Sequence, residues 1–328
     1  MNTNENTLIL GMVDKLEWDK LSPFVISLER TGYKGELCFF VSNVSKKTIY
    51  KLQEHGVQVM KFRDFYFKFP FIKQEIHIYH FYRRLPFTGH FPYFLYKLFN
   101  SEGGRLNSEN LLCKDKIVKV FLNLNLLSFP CSRFLMYYLF LKNTDKYYSK
   151  VLLTDISDVL FQRHPFDFEY RENSLYSGLE ENIIAADRLN SRWIAVAFGQ
   201  QVLSELGHYR VISNGQIIGN QHTVLKYLQY LVHYIIQTAY KQINVHGIDQ
   251  GIHNFIIRKG LIRDVVLNEN QGGPILTLGN FDPARIRYNK DGLLINVDGS
   301  IINILHHYDW HGYEKVVENV KHLYEGGI

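Results

Sequence analysis

The residues best suited to chemistry gather in KVLLTDISDVLFQRHPF, Lys150 to Phe166, where an apolar run stops at Asp155, a second carboxylate follows at Asp158, and apolar residues resume. Two carboxylates this close repel each other unless positive charge lies between or beside them. A divalent cation supplies that charge, and oxygen ligands suit the hard ions Mg2+ and Mn2+, which in turn bridge phosphate oxygens. The pair therefore reads as a metal–diphosphate site. A turn or helix start, where Asp is a favoured N-cap, accounts for the same residues without a metal. A second cluster lies near the other end of the chain, where INILHHYDWH holds His306, His307, Asp309 and His311. Neutral imidazole at a strand end beside an acidic site is a ready further ligand. Three imidazoles in so short a stretch also suggest zinc, but no thiolate or matching histidine pair elsewhere supports a structural zinc site.

These side chains need a frame. TLILGMV, ELCFFVS and VQVMKF are short apolar runs of the kind that form buried strands. Between them, LSPFVISLERTG places Leu21, Phe24, Val25 and Leu28 at helical spacing and stops at Gly32. SKKTIYKLQEHG starts on Ser45 as N-cap and stops at Gly56. The βαβαβ pattern predicts a parallel sheet with right-handed crossovers, whose ligands bind beyond the carboxyl ends of the strands. KVLLT is then the next buried strand, with Asp155 and Asp158 at that end. The helix before it, CSRFLMYYLFLKN, turns Phe134, Tyr137, Tyr138 and Leu141 to one side. Later come a strand in NSLYSGL and helices in VLKYLQYLVHYIIQTAY and DQGIHNFIIRKG. The runs GLLINV and SIINILHHY flank Asp298-Gly299, a hairpin signal. Residues 64–130 are dense in aromatics without a clear period and read as partly helical, with SEGGRLNSEN as a loop. With no internal repeat or low-complexity linker, the expectation is one α/β domain over residues 1–328. Its mostly parallel, Rossmann-like central sheet is flanked by helices and carries a small C-terminal β-hairpin.

Taken with its flanks, LLTDISDVLFQRHPF resembles the acidic signature of GT-A nucleotide-sugar glycosyltransferases, in which a buried strand ends in a DxD-type motif holding Mn2+ and the donor diphosphate. The Phe-Gln and Pro-Phe tail is part of that likeness, while Asp-Ile-Ser-Asp is one residue longer than strict DxD. The resemblance implies that Asp158 binds the metal, that Asp155 contacts the ribose or completes the metal shell, and that His306 is a third ligand, with His307 the alternative. CSRFLMYYLFL resembles an Arg-bearing helix of these enzymes, so Arg133 would contact the diphosphate or brace the acidic turn; a solvated helix arginine is the plainer reading. VISNGQIIGN resembles the segment lining the donor sugar, with Ser213, Asn214 and Gly215 against the ring, although a simple turn has the same composition. HGIDQGIHNFI resembles the DQ-x-x-x-N segment of glycogenin-like and lipopolysaccharide glycosyltransferases, so Asp249 and Gln250 would open a helix and face the sugar. An N-cap role for Asp249 is compatible with this. The likeness runs from the first strand to His311 and leaves residues 64–130 and the final tail unmatched.

The activity so implied is transfer of a sugar from a nucleotide-diphosphate sugar, UDP-sugar favoured, to an acceptor hydroxyl on a glycan or lipid-linked acceptor, with Mn2+ or Mg2+ as cofactor. An inverting enzyme needs a general base, for which Asp187, Glu180 and Glu181 in SGLEENIIAAD are candidates. A retaining one needs polar groups under the sugar, for which Asp249, Gln250 and Asn214 are suited, and retention is the favoured reading. A sugar nucleotidyltransferase is a competing reading, but LGMVDKLEW after the first strand lacks a Gly-rich phosphate loop. A non-catalytic carbohydrate-binding protein is another, against which the intact acids and histidine stand.

The composition fits an enzyme of this kind. The 328 residues are 46% hydrophobic and 21% charged, and include 22 Tyr and 23 Phe. A formal charge of +5 suits an anionic ligand or surface and is no argument for nucleic acid. Cys38, Cys113 and Cys131 are too few and too spread for a disulfide framework. The N-terminus lacks a basic region followed by a long apolar stretch, so a cytoplasmic location is expected. The aromatic segment 65–99, with Arg83 and Arg84, is a candidate for an acceptor pocket or for peripheral contact with a membrane carrying a lipid-linked acceptor.

Overall fold

The computed structural model describes residues 6–62, 126–240 and 246–325, together with 66–67, 76–77, 118–119 and 122. The reading of the aromatic segment, including Arg83, Arg84 and Cys113, falls outside the described residues. In chain order the elements are β1 (Thr7–Asp14), α1 (Trp18–Arg30), β2 (Glu36–Ser42), α2 (Lys46–Glu54), β3 (Gln58–Lys61), β4 (Tyr66–Phe67) and β5 (Ile76–His77). They continue with α3 (Phe129–Asn143), β6 (Lys150–Thr154), β7 (Val159–Phe161), β8 (Leu175–Ile183), α4 (Arg188–Phe198), α5 (Gln200–Leu206), β9 (Arg210–Gly219) and α6 (Gln221–Tyr240). Last are α7 (Ile248–Arg258), β10 (Val265–Asn268), β11 (Ile275–Thr277), β12 (Ile304–His306) and α8 (Glu314–Val320).

Seven strands form the main sheet in the order β10-β8-β9-β6-β1-β2-β3. All run parallel except β9, which pairs antiparallel with both β6 and β8. The α/β class and mostly parallel sheet expected from sequence are therefore present, with one reversed strand in the centre. That reversal matters for the site. It brings the beginning of β9, Ser213 to Gly215, to the same edge where β6 ends.

The strands form because their apolar runs are buried on both faces, as a parallel sheet between helical layers requires. β1 is buried from Thr7 to Val13. On one face Leu8, Leu10, Cys38, Leu153 and Ile217 pack with Phe134, Tyr138, Tyr227, Leu231 and Ile252 from α3, α6 and α7. On the other, Ile9, Phe39, Leu152 and Ile218 pack with Phe24, Val25 and Leu28 of α1 and Leu52 of α2. The caps follow the sequence: Ser45 accepts from Thr48 N at 3.1 Å, and Gly32 and Gly56 take positive φ after α1 and α2. Among the described residues no helix is long and apolar enough to cross a membrane.

The C-terminal region departs from the expected hairpin. Asp298-Gly299 does make a tight turn, with Gly299 at φ 87° and Asn296 N donating to Ser300 O at 2.8 Å. Only the single bridge Ile295–Ile301 follows from it. β12 pairs instead with β11 in parallel and with β7 antiparallel, forming a small three-stranded sheet. The apolar side chains decide this: Ile275, Phe161 and Ile304 join the core beside α1. Leu276, Leu160 and Leu305 face a second cluster with Tyr313, Val316 and Val320. This small sheet carries His306 to the acidic edge.

Candidate functional site

The apolar run of β6 ends at Thr154, and Asp155 N then donates to Gly215 O at 2.9 Å, one step past the β6–β9 ladder. Ile156 is buried against Gly11 and Phe39. A Cβ on Gly11 would lie 2.1 Å from Ile156 Cδ1, so the first strand needs glycine there to receive this side chain. The residue that lengthens the Asp-Ile-Ser-Asp spacing is thus a core plug. It anchors the loop while both carboxylates turn back to one place.

Asp155 accepts from Arg133 Nη1 and lies with Oδ2 3.5 Å from His306 Nε2. Arg133 reaches on to Asp249 Oδ2 at 3.4 Å, tying α3 to the start of α7. Gly215 is a close-approach glycine: an added Cβ would meet His306 Nε2 at 2.7 Å and Asp155 Oδ2 at 2.8 Å. Asp158 O accepts from His307 N at 2.8 Å. His307 has a left-handed backbone, φ 59°, uncommon for a residue with a side chain. Successive strand residues normally point to opposite faces. The left-handed step after β12 breaks that alternation, so the adjacent His306 and His307 both reach the acids. Their rings meet at a tilt with centroids 3.5 Å apart, and His307 stacks on Trp310 at 3.6 Å. Trp310 Nε1 donates to Asp158 Oδ2 at 3.2 Å.

One ligand atom each from Asp158, His306 and His307 lies within 4.8 Å of the others. Asp158 Oδ1, both ring nitrogens of His306 and His307 Nδ1 are buried without hydrogen-bond partners. Orphaned buried polar atoms are costly and call for an explanation, and a cation among them provides one. The donor set of carboxylate and imidazole fits a divalent transition ion such as Mn2+. Burial pushes the Asp158 carboxyl up against the pull of His306, and the Asp155 charge adds to the rise. Burial alone would raise Asp155 too, but the Arg133 guanidinium and His306 hold it well below the usual carboxylate range. Burial and the neighbouring His306 press the His307 imidazole down to about 2, which keeps its nitrogens neutral and available.

Beside this cluster lies a polar floor. Asn214 Nδ2 donates to Asp249 Oδ2 at 2.8 Å, and Asn214 N donates to Gln250 Oε1 at 3.2 Å. Gln250 Nε2 donates to Glu180 Oε1 at 3.0 Å. Burial raises the Glu180 carboxyl, with the Gln250 bond working against it. Asp249 is not the N-cap of α7, a place taken by Gly247; it is buried within the helix's first turn with Oδ1 unpartnered. Asn254 fixes the helix to the strand, with Ile212 N donating to its Oδ1 and its Nδ2 donating to Ile212 O, both at 2.9 Å. Ser177 Oγ donates to Ser213 O at 2.5 Å. Its one proton being used, Ser177 accepts from His253 Nε2–H at 3.4 Å, so His253 Nδ1 accepts from Tyr227 O–H at 2.8 Å.

The structure thus gathers Asp155, Asp158, His306, Arg133, Ser213, Asn214, Gly215, Asp249 and Gln250 at one edge. Three sequence candidates stand apart. Asp187 caps α4, accepting from Leu189 N, Asn190 N, Asn190 Nδ2 and Asn182 Nδ2. Glu181 pairs with Arg285 at 3.0 Å and with Arg210 at 3.6 Å. His311 is fully exposed beside Glu314. Arg133 is largely shielded from solvent and braces both Asp155 and Asp249, so the solvated reading of it does not hold. His307 was only the alternative ligand in sequence, and Trp310 was not singled out; both lie in the same short cluster as His306.

No family model matches this chain, and no curated protein matches it in sequence. Among solved structures, the galactosyltransferase LgtC in complex with donor and acceptor sugar analogs aligns over 98% of this chain and 97% of its own, at 15% identity and a TM-score of 0.47. An active-site mutant of LgtC aligns over the same shares at 13% identity and a TM-score of 0.47. Likenesses this loose carry no weight in assigning an activity.

Proposed function

We propose that this chain is a metal-dependent glycosyltransferase of the GT-A kind. It would move a sugar from a nucleotide-diphosphate sugar, UDP-sugar favoured, to an acceptor hydroxyl, with retention at the anomeric carbon. The observation that carries this reading is the cluster of Asp158, His306 and His307, with orphaned buried donors, set against an Arg-braced Asp155 at the strand edge where a sheet of this type binds ligands. Its resemblance to a DxD-type motif supports the same reading.

Asp158, His306 and His307 would hold a Mn2+ or Mg2+ ion, and Asp155 lies against His306 to complete or orient the set. When bound, the ion acts as Lewis acid and template for the departing diphosphate. The chain's own residues do the rest. Arg133 keeps Asp155 ionised and fixes its direction. Gly215 leaves the room that His306 and Asp155 need to pack against the β9 backbone. Asn214, Asp249 and Gln250 form the floor on which the sugar hydroxyls would be oriented, and Asp249 Oδ1 is free to accept from one of them. Glu180, held by Gln250 and raised by burial, would be a group able to exchange a proton with a hydroxyl beside that floor.

The test is calorimetric titration of UDP-, GDP- and CMP-sugars with and without Mn2+, followed by the anomeric configuration of the product by NMR. Tight binding of a UDP-sugar only with Mn2+, and a retained product, are expected. Metal-independent binding, or turnover of a nucleoside triphosphate into a sugar nucleotide, would overturn the transferase reading. An inverted product would overturn retention alone. Binding of Zn2+ in place of Mn2+ with no effect on nucleotide-sugar binding would make the cluster structural.

A further inference from the structure

Nine large apolar side chains are exposed among the described residues, and four of them lie on α4 or on the strand ends that neighbour it: Leu189 at 54%, Ile183 at 45%, Tyr209 at 38% and Val196 at 37%. The geometry joins them. Ile183 ends β8, and its carbonyl accepts from Asp187 N at 3.0 Å where α4 begins. Ile183 pairs with Arg210, and Ile184 N donates to Tyr209 O at 2.9 Å. Leu189 and Val196 lie two turns apart along α4, whose inner face buries Asn190, Ile194 and Ala197. The outer face of the same helix carries Arg188 and Arg192, both exposed.

The charges around this surface are unbalanced. Its carboxylates are already committed: Asp187 to the cap of α4, Glu181 and Glu269 to Arg210, and Glu205 to Lys259. Among the described residues Arg188 and Arg192 make no ion pair. Scattered apolar residues on a surface need no explanation, but exposed apolar residues gathered on neighbouring elements beside uncompensated cations do. A helix with this arrangement, apolar side chains flanked by arginines, lies favourably in the boundary of an anionic bilayer: the apolar groups enter the interface and the guanidinium groups meet phosphates.

We propose that α4 with the ends of β8 and β9, through Ile183, Leu189, Val196, Tyr209, Arg188 and Arg192, docks this protein on an anionic phospholipid surface. The docking itself does not depend on the catalytic reading. Its consequence rests on that reading: Glu180 lies three residues before Ile183 on β8, so a docked α4 holds the Glu180–Gln250 side of the floor near the bilayer, where a lipid-tethered acceptor hydroxyl would arrive.

Vesicle co-sedimentation of the full chain tests this, using phosphatidylcholine alone and phosphatidylcholine mixed with phosphatidylglycerol. The protein is expected to pellet with the anionic vesicles, less at high salt, and not with phosphatidylcholine alone. Arg188→Glu with Arg192→Glu is expected to lower the partition coefficient roughly tenfold or more. These side chains are exposed and unpaired, so circular dichroism should be unchanged. Leu189→Ser with Ile183→Ser should weaken binding while keeping the charge. Lys46→Glu with Lys47→Glu, the same charge change on exposed α2, should leave it intact. Failure to pellet with anionic vesicles, equal pelleting with neutral ones, undiminished binding of the arginine variant, or an equal loss in the α2 variant would each overturn the proposal. Nucleotide-sugar titration without vesicles is indifferent to all of these results, so failure of docking and failure of the transferase reading are seen separately.

Discussion

The two halves of the main sheet are built on opposite principles. In β1 and β2 the interior is apolar on both faces, and Phe24 of α1 closes the layer in edge contact with Phe39 and Phe161, at centroid distances of 5.6 and 4.9 Å. In β6, β9 and β8 the interior near the strand ends is polar. Ser177, Ser213, Asn214, Gln216 and Glu180 are all buried there, and Gln216 has neither side-chain end satisfied. The first half supplies cohesion. The second concentrates desolvated polar groups whose arrangement is useful only if something binds to them, which is where departures from a consistent core are expected.

That division can be broken by mutations in each half. Phe24→Ala should have the largest effect on stability, about 4 kcal/mol in chemical denaturation, because it opens a cavity under fully buried neighbours. Metal affinity measured at a temperature where the variant is folded should not change; a matching loss would mean that the halves are one cooperative unit with the site. Arg133→Met, in the polar half, should cost about 3 kcal/mol, since it leaves Asp155 and the buried Asp249 without their cation. It should weaken Mn2+ binding as well, where Phe24→Ala does not.

Asp158→Ala should reverse the pattern. With a metal-site acid removed, affinity for Mn2+ by calorimetry should fall about a hundredfold or more, with little change in the denaturation midpoint. Its carboxylate bonds only Trp310, and the pull of His306 is opposed by burial and by the Asp155 charge. Unchanged Mn2+ affinity would remove the metal from this site. A still smaller effect is the pH dependence of the polar half. Burial, with Arg258 and Arg133 nearby, lowers His253 from its ordinary 6.5 to about 3, so it is neutral in the folded protein. The unfolded chain takes up a proton below about 6.5 that the folded one refuses. Stability is therefore full above that pH and declines through the window down to about 3, by at most about 1.4 kcal/mol per pH unit from this group. His253→Gln should flatten the difference between urea melts at pH 7 and pH 5; an unaltered slope would place the liability elsewhere.

The same contrast explains what the sequence revealed. β1 and β2 with α1 and α2 were legible because each buried run is unbroken and bounded by Gly or a capping Ser. The acids, Arg133 and His306 were legible as chemistry because their types are out of place in apolar surroundings. VISNGQIIGN, which holds most of β9, was read by its resemblance as the segment lining the donor sugar, with a simple turn as the alternative. Its role as a reversed central strand depends on its pairing with β6 and β8, which no local pattern encodes. The hairpin at Asp298-Gly299 had the right turn chemistry, but the apolar side chains after it found better partners in β7 and β11. His307 was read only as the alternative to His306, not as its companion: regular strand alternation would send it away from His306, and its left-handed backbone returns it. The extra residue in Asp-Ile-Ser-Asp looked like a flaw in the motif. It is explained only by a contact with Gly11, more than a hundred residues earlier.

The smallest perturbation probes the cohesive half at its periphery. Ser45 Oγ accepts from Thr48 N at 3.1 Å and donates to Glu17 Oε2 at 2.6 Å, so one hydroxyl caps α2 and links it to the N-cap residue of α1. Ser45→Ala should cost about 1 kcal/mol, the usual worth of a helix cap. Both contacts lie in the apolar half and neither touches β6, β8 or β9, so nucleotide-sugar and Mn2+ affinities should match the wild type within error. A measurable loss of either affinity would show that the α1–α2 layer transmits to the acidic edge. The plug of Ile156 against Gly11 and Phe39 is the contact through which it would do so, because it is where the two halves meet beneath the carboxylates.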